Sequence, residues 1–283
     1  MRITSDWHIH SRNSCDSACM VVADLVTGAA DRGIRDYGIT DHIHTPYNLP
    51  DIAGSRAEFL ANTPSARFHF GVEVSCVSQW ELDEVATGHY DDPVYGLREG
   101  GTPRCELAIG LTAEDIATYQ IEYVVGGTHW PMYVPIEREA VIRDYHRQNM
   151  FLATHPLVNI VAHPWWWMKY WADSEGCFTA EPWFDDFGAI PTSMHDEFAA
   201  AAIEHNTAVE ANISACLLNP HYPQRFVAQY LDYLAELQSR GVTLSIGSDC
   251  HLEYYEIDFE RAAAMLEGAG IADDFWCLAP RAG

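Results

Sequence analysis

Lysine is almost missing from this chain: Lys169 is the only one in 283 residues. Sixteen Lys and Arg stand against 41 Asp and Glu, a formal net charge of -25. That balance argues against loose attraction to nucleic acid or to an anionic membrane surface, since both are polyanions. No basic stripe is present to follow a nucleic-acid backbone. Runs of eighteen or more apolar residues are also missing, so no membrane-spanning helix is expected. Residues 1–8 lack the apolar stretch and cleavage site of a secretory signal, and a cytoplasmic protein is expected. The eight cysteines form no CxxC pair and are expected to stay reduced thiols. Cys15 and Cys250 lie inside histidine motifs, where harder nitrogen and oxygen ligands are abundant. No repeat, low-complexity tract or interdomain linker interrupts the chain. Its length suits one α/β barrel domain over 1–283.

What the chain does contain is strand-like and helix-like segments in alternation. Strands are expected near 2–7, 36–40, 67–74, 121–127, 157–162, 207–212 and 242–247. Helices are expected near 19–33, 135–154, 194–205, 223–240 and 258–268, the first ending at Gly33 and the fourth before Gly241. This order implies βα units with parallel strands. Seven units can close as a barrel or stay open as a doubly wound sheet. Two long insertions break the rhythm. That at about 77–120 is rich in Gly and Pro, and a hairpin is expected in it. That at about 164–193 holds Trp165, Trp166, Trp167, Tyr170, Trp171, Phe178, Trp183, Phe184 and Phe187. Both follow a strand that ends in a ligand-type residue, and loops at that end of a parallel barrel form the mouth of its active site.

The seven strand ends carry the chemistry. They read Trp7-His8-Ile9-His10, Thr40-Asp41-His42, Val72-Glu73, Thr128-His129, Ala162-His163, Glu210-Ala211-Asn212 and Ser248-Asp249-Cys250-His251. His8 and His10 are two apart on a strand and share a face, so both imidazoles can reach one ion. Asp249 and His251 repeat that spacing. A carboxylate such as Glu73 at the end of an apolar strand is costly to bury unless it is paired or metal-bound. One such ending is unremarkable, because a lone His is more often a satisfied core residue. Seven in register point to a rim of metal ligands.

Taken together, the N-terminal HxH, Ile39-Thr40-Asp41-His42, Gly71-Val72-Glu73, His129, Ala162-His163-Pro164 and Gly247-Ser248-Asp249-Cys250-His251 resemble the PHP (polymerase and histidinol phosphatase) family. The resemblance spans roughly 2–270. It implies a distorted (β/α)7 barrel with long inserted loops and two or three divalent ions at its C-terminal rim. By that resemblance His8, His10, Glu73 and Asp249 hold one ion. Glu73 bridges to a second with His129 and His163. Asp16, His42 and His251 hold a third. Imidazole with carboxylate suits Zn, Mn or Fe alike.

A cluster of that kind supports hydrolysis of a small-molecule phosphate ester by metal-bound hydroxide in direct attack. The expected catalytic residues are Glu73, Asp249 and His251, the last two assisting the leaving group. Arg12, Arg225, His44 and Trp130 are the candidate substrate contacts, arginine because its fork matches two phosphate oxygens. The chain departs from the histidinol phosphatase branch after Asn212. Ile213-Ser214-Ala215 stands where that branch has a Gly and a basic residue. Three alternatives stay open: cyclic phosphodiesterase action, amidohydrolase-like cleavage of an amide or lactone, and a non-catalytic scaffold stabilised by metal. The amidohydrolase pattern calls for a lysine ligand, and Lys169 sits in the tryptophan-rich stretch.

Overall fold

The computed structural model describes residues 1–16, 18–62, 65–167 and 182–280. The elements run β1 (Ser5–Asp6), α1 (Val22–Arg32), β2 (Asp36–Ile39), β3 (His42–Ile43), α2 (Leu49–Ala61), β4 (Phe68–Ser75), β5 (Val77–Ser78), α3 (Gln79–Ala86), β6 (Leu107–Ala108), α4 (Ala113–Tyr119) and β7 (Tyr123–Gly127). There follow α5 (Arg138–Thr154), β8 (Ile160–Ala162), α6 (Thr192–His205), β9 (Ala208–Asn212), α7 (Gln224–Ser239), β10 (Leu244–Gly247) and α8 (Phe259–Gly268).

The strands pair in the order β1, β2, β4, β7, β8, β9, β10, every pair parallel. β3 prolongs the path of β2 and also pairs with β4. The two ends of the sheet then meet. Trp7 N donates to Ile246 O at 2.9 Å, Asp249 N donates to His8 O at 2.7 Å, and Ile9 bridges to Cys250. The result is a nearly closed parallel barrel of seven strand positions ringed by helices. This is the distorted (β/α)7 barrel that the sequence predicts.

Local chemistry sets the elements. On α1, Val22, Leu25 and Ala29 recur at helical spacing and are buried. The helix stops where Gly33, at φ 71°, donates its N–H to Ala29 O and Ala30 O, a conformation that would strain a residue with a Cβ. On α7, Phe226, Tyr230, Tyr233, Leu234 and Leu237 form the buried stripe. β4 is buried along its whole length, so its period of two separates barrel interior from helix layer. Phe68 and Phe70 face outward onto Phe59 of α2, at ring separations of 4.8 and 5.4 Å. His69, Gly71, Glu73 and Ser75 face inward. Gly71 carries no Cβ because the ring of Tyr123 occupies that space. Beneath the rim, Trp7, Tyr123, Val125, Ile160, Ala162 and Ala208 fill the interior, and Trp276 from the C-terminal stretch packs under them. Its ring lies 5.1 Å from Trp7, edge to face.

Two features differ from the sequence expectation. α2 lies in a stretch read as connection, because its stripe of Ile52, Ser55 and Phe59 is short and diluted by Pro50, Gly54 and Ser55. The 77–120 insertion is more regular than expected. β5 and β6 pair antiparallel across the segment between them, and α4, opened by a capping box at Thr112, is an ordinary barrel helix. Of the second insertion, Lys169, Tyr170, Trp171, Cys177 and Phe178 lie outside the described residues.

Candidate metal centre

Each strand end delivers its side chains to one point. His8 and His10 leave β1, Asp16 follows in the next loop, and His42 stands on β3. Glu73 is near the end of β4. His129 and His163 follow β7 and β8, and Asp249 and His251 follow β10. Four overlapping groups form: His8, His10 and Asp249; His8, Glu73 and His163; His42, Glu73 and His129; His10, Asp16, His42 and His251. Within each, the ligand atoms lie within 4.8 Å of one another. All nine side chains singled out as metal ligands are therefore brought together.

Glu73 is the hub, and it is fully buried. Its Oε2 lies 2.9 Å from His8 Nε2, 3.4 Å from His10 Nε2 and 3.0 Å from His42 Nδ1. Its Oε1 lies 3.1 Å from His129 Nε2 and 3.2 Å from His163 Nε2. One carboxylate thus turns its two oxygens to two separate sets of imidazoles. On the outer side, Asp16 Oδ2 pairs with His251 Nε2 and lies 3.2 Å from His42 Nε2.

Neighbours fix which nitrogen of each ring faces inward. Glu210 Oε1 accepts from His8 Nδ1 at 2.7 Å, while its Oε2 accepts from His163 N at 2.8 Å and Asn212 Nδ2 at 2.9 Å. Ser75 Oγ contacts His129 Nδ1 at 2.9 Å. With Nδ1 protonated toward Glu210, His8 Nε2 presents a lone pair to His10 Nε2, 3.0 Å away, and to the Glu73 carboxylate. Facing lone pairs repel unless a proton or a cation lies between them. Ligand atoms about 2.1 Å from a shared ion stand about 3.0–3.4 Å apart, depending on coordination geometry. The spacing here has that scale. Asp16 Oδ1, His42 Nδ1 and His163 Nδ1 are also buried without hydrogen-bond partners among the described residues. The donor set therefore fits divalent metal.

Burial alone would raise the Glu73 carboxyl, but the surrounding His8, His42 and His129 hold it well below the usual range. Asp249 behaves alike: burial is outweighed by His8, His10 and His251. The backbone is strained where the ligands turn in. His163 at φ 27°, Trp165 at φ 68° and Asp249 at φ 54° all occupy the left-handed side, as residues at functional sites often do. Close approach is secured by Gly127 and Gly247. A Cβ on Gly127 would lie 2.6 Å from Glu73 Oε1, and one on Gly247 would overlap Glu210.

Asp6 anchors the β10 loop from below. Its Oδ1 accepts from Ser248 N at 2.8 Å and His8 N at 3.3 Å, and its Oδ2 from Tyr255 OH at 2.5 Å. Burial raises its pKa from 3.8 to about 6, against the pull of those hydrogen bonds. Because the folded value lies above the unfolded one, this group favours folding below about pH 4, and that advantage is lost as pH rises through 6. We expect Asp6→Asn to gain roughly 2 kcal/mol on wild type between pH 4 and pH 7, read by denaturant unfolding at each pH. A parallel pH profile for the two proteins would contradict this.

Two cavities adjoin the centre. One of about 180 Å³ is lined by Asp16, His42, His44, Glu73, Tyr95, His129, Trp130, His163, Trp166, Asp249 and His251. A second of about 480 Å³ shares Trp166, Asp249 and His251 with it and continues along Ile213, Ala215, Leu218, Pro220, Leu252 and Ile257. The π-helical turn 213–217, held by Asn212 Oδ1 accepting from Ala215 N at 2.7 Å, forms one wall of the second cavity.

The four predicted substrate contacts divide. His44 and Trp130 line the smaller cavity. Arg12 and Arg225 line neither. Arg12 turns its Nε to Glu58 Oε2 at 3.0 Å, and Arg225, in the first turn of α7, faces Asp186 at 3.7 Å. In so acidic a chain each arginine meets a carboxylate before it reaches the mouth. Among the described residues, no arginine or lysine lines either cavity. Of the tryptophans, Trp165, Trp167 and Trp183 pack together in the core, and Trp166 walls both cavities. Sequence reasoning missed Ser75, which lacked any motif, and Arg98, whose guanidinium lies 3.1 Å over the Trp130 ring. Glu210 and Asn212, at the sixth of the strand ends singled out, bond to the ligand-type residues His8 and Asp249.

No family model matches the chain, and no curated protein does. Solved structures do. A Listeria monocytogenes protein assigned as a histidinol phosphatase is 13% identical, with 87% of this chain and 95% of that one covered and a TM-score of 0.55. A Xaa-Pro dipeptidase is 11% identical over 95% of this chain and 71% of its own, TM-score 0.42. A variant organophosphorus hydrolase of Deinococcus radiodurans is 12% identical over 93% and 81%, TM-score 0.35. At 13% identity the Listeria likeness is one of fold. Among the described residues, no helix is long and apolar enough to cross a membrane.

Proposed function

We propose that this protein is a metal-dependent hydrolase of a small-molecule phosphate ester, of PHP type, with Glu73 bridging two cation sites. The observation that carries the reading is the division of the Glu73 oxygens between two sets of imidazoles, 2.9–3.4 Å on one side and 3.1–3.2 Å on the other. His8, His10 and Asp249 complete one site, His129 and His163 the second. Asp16, His42 and His251 form a third. Two or three divalent ions held there would lower the pKa of a bound water and neutralise phosphate oxygens. That also answers how a chain of net charge -25 receives an anion.

The chain's own residues do the rest. Trp166 and Trp130 exclude water from the small cavity. Asp249 and His251 line both cavities, so they stand where the alcohol half of the ester departs. We assign them to assist the leaving oxygen, His251 as the proton-bearing group. The larger cavity takes the alcohol: Ile213, Leu218 and Ile257 suit a hydrocarbon part, and Ser214, Asn219, Glu256 and Asp258, which also line it, suit hydroxyl or amino groups. Leu218→Trp narrows it. We expect that variant to raise KM for esters of bulky alcohols about tenfold while inhibition by orthophosphate is unchanged. Equal KM values across small and bulky esters would remove the cavity from the binding site.

The general test is metal analysis followed by phosphate release across sugar, nucleotide and amino-alcohol phosphates, monoesters and cyclic diesters both. Chelation should abolish release, and divalent metal should restore it. One observation favours a second reading, cleavage of an uncharged amide or lactone: among the described residues, neither cavity is lined by an arginine or lysine. Turnover of amides or lactones by metal-replete protein, with no phosphate release, would decide for it.

A further inference from the structure

His44 stacks on His42 with ring centroids 4.6 Å apart, lines the smaller cavity and is 3% exposed. Tyr95 and Trp130 flank its ring, each at 5.5 Å. Its Nδ1 lies 2.7 Å from Ser75 Oγ, and the same Ser75 Oγ lies 2.9 Å from His129 Nδ1. A serine hydroxyl has one proton to give. Ser75 can donate to one of these imidazoles and must accept from the other. His129 decides the direction. Its Nε2 stands 3.1 Å from Glu73 Oε1 and would turn a lone pair to a cation held by these residues, which would put its proton on Nδ1, toward Ser75. The Ser75 proton then goes to His44 Nδ1, and the proton of the His44 ring sits on Nε2. That Nε2 is buried and has no hydrogen-bond partner among the described residues. A buried donor without an acceptor is unfavourable, and a cavity-lining one is satisfied when a ligand brings the acceptor.

We propose that His44 donates its Nε2–H to a phosphoryl oxygen of the bound ester, and that Ser75, tied to the ligand His129, holds it in that tautomer. The proposal rests on the phosphate-ester reading. It also supplies an oxygen contact from a residue that lines the smaller cavity. Metal binding and substrate recognition become linked through one hydroxyl, because the ion orients His129, His129 orients Ser75, and Ser75 orients His44.

The experiment uses the full-length zinc-loaded protein with orthophosphate as probe. Nitrogen NMR of the imidazole rings reads the His44 tautomer directly, and calorimetry reads orthophosphate affinity in wild type, His44→Ala and His44→Gln. We expect protonated Nε2 and unprotonated Nδ1 in wild type. We expect an orthophosphate Kd about tenfold higher in His44→Ala, with partial recovery in His44→Gln through its amide N–H and unchanged zinc content in both. The Nδ1–H tautomer in wild type, or wild-type affinity in His44→Ala, would overturn the proposal. Zinc-loaded wild type that fails to bind orthophosphate would overturn the phosphate-ester reading itself, and the role of His44 with it. The two failures differ in whether wild type binds the probe.

Discussion

Glu73→Gln should strip metal from the protein and abolish hydrolysis together. The carboxylate offers two oxygens, one to His8, His10 and His42 and the other to His129 and His163. A carboxamide offers one oxygen and an N–H₂ group. Whichever way it turns, one set of imidazoles faces donors instead of a negative oxygen. The proposed bridge would be lost, and the remaining charge would no longer balance two cations. We expect kcat/KM to fall about a thousandfold or more, some 4 kcal/mol of transition-state stabilisation. Metal analysis should show substoichiometric binding in the same preparation. The shape of the residue is nearly unchanged, so near-UV circular dichroism of the metal-free protein should match wild type. Full metal content with wild-type turnover would remove the bridging role and the proposed function with it.

The second large effect is expected at Glu210, which is not among the nine proposed ligands. Its carboxylate accepts from His8 Nδ1 at 2.7 Å and from His163 N at 2.8 Å. Glu210→Gln can keep the bond to His163 N with its carbonyl oxygen. The amide nitrogen is then left opposite His8 Nδ1 and donates to it. His8 must take the other tautomer, and its Nε2–H points at Glu73 where a lone pair is needed. Partners that orient metal-bound histidines commonly contribute 10–100-fold in metal affinity. We expect a loss of about that size here, measured by competition with a chelator, and a matching loss of activity that excess metal partly restores. Glu210→Ala tests the same idea by a different route, since it removes the anchor and opens a cavity. An unchanged affinity in Glu210→Gln would show that the ring of His8 is held by packing alone.

Much of the barrel could be read from the chain. Alternating strand and helix segments, with Gly33 and Gly241 as stops, mark most of its βα units. α2 escaped because Ser55 and Gly54 interrupt its stripe, and helix formation there follows from packing Phe59 onto Phe68 and Phe70. The ligand rim was legible for a different reason. Parallel strands deliver their last residues to one edge of the sheet, so ligand types at successive strand ends share a rim, and the family resemblance added Asp16 from a loop.

Substrate contacts follow no such rule. Arg12 and Arg225 are close to ligand-bearing strand ends in sequence, yet Glu58 and Asp186 draw them away. Trp166 walls the cavities while its neighbours Trp165 and Trp167 go into the core. Three adjacent tryptophans look alike in sequence, and the strained backbone at His163 and Trp165 decides which way each points. Ser75 and Glu210 hold the tautomers of His129 and His8 across 54 and 202 residues of chain.

The order of residues along this protein determined its βα units and the ligand-type residues at their strand ends, because periodicity and strand ends are local, while the closed barrel and the full set of nine were what the family resemblance implied. Tertiary structure alone decided which neighbour each imidazole nitrogen meets, how the two oxygens of Glu73 are divided between two sets of imidazoles, and which side chains wall the cavities beside them. Those depend on which atoms meet across the closed sheet, and no local pattern encodes such meetings.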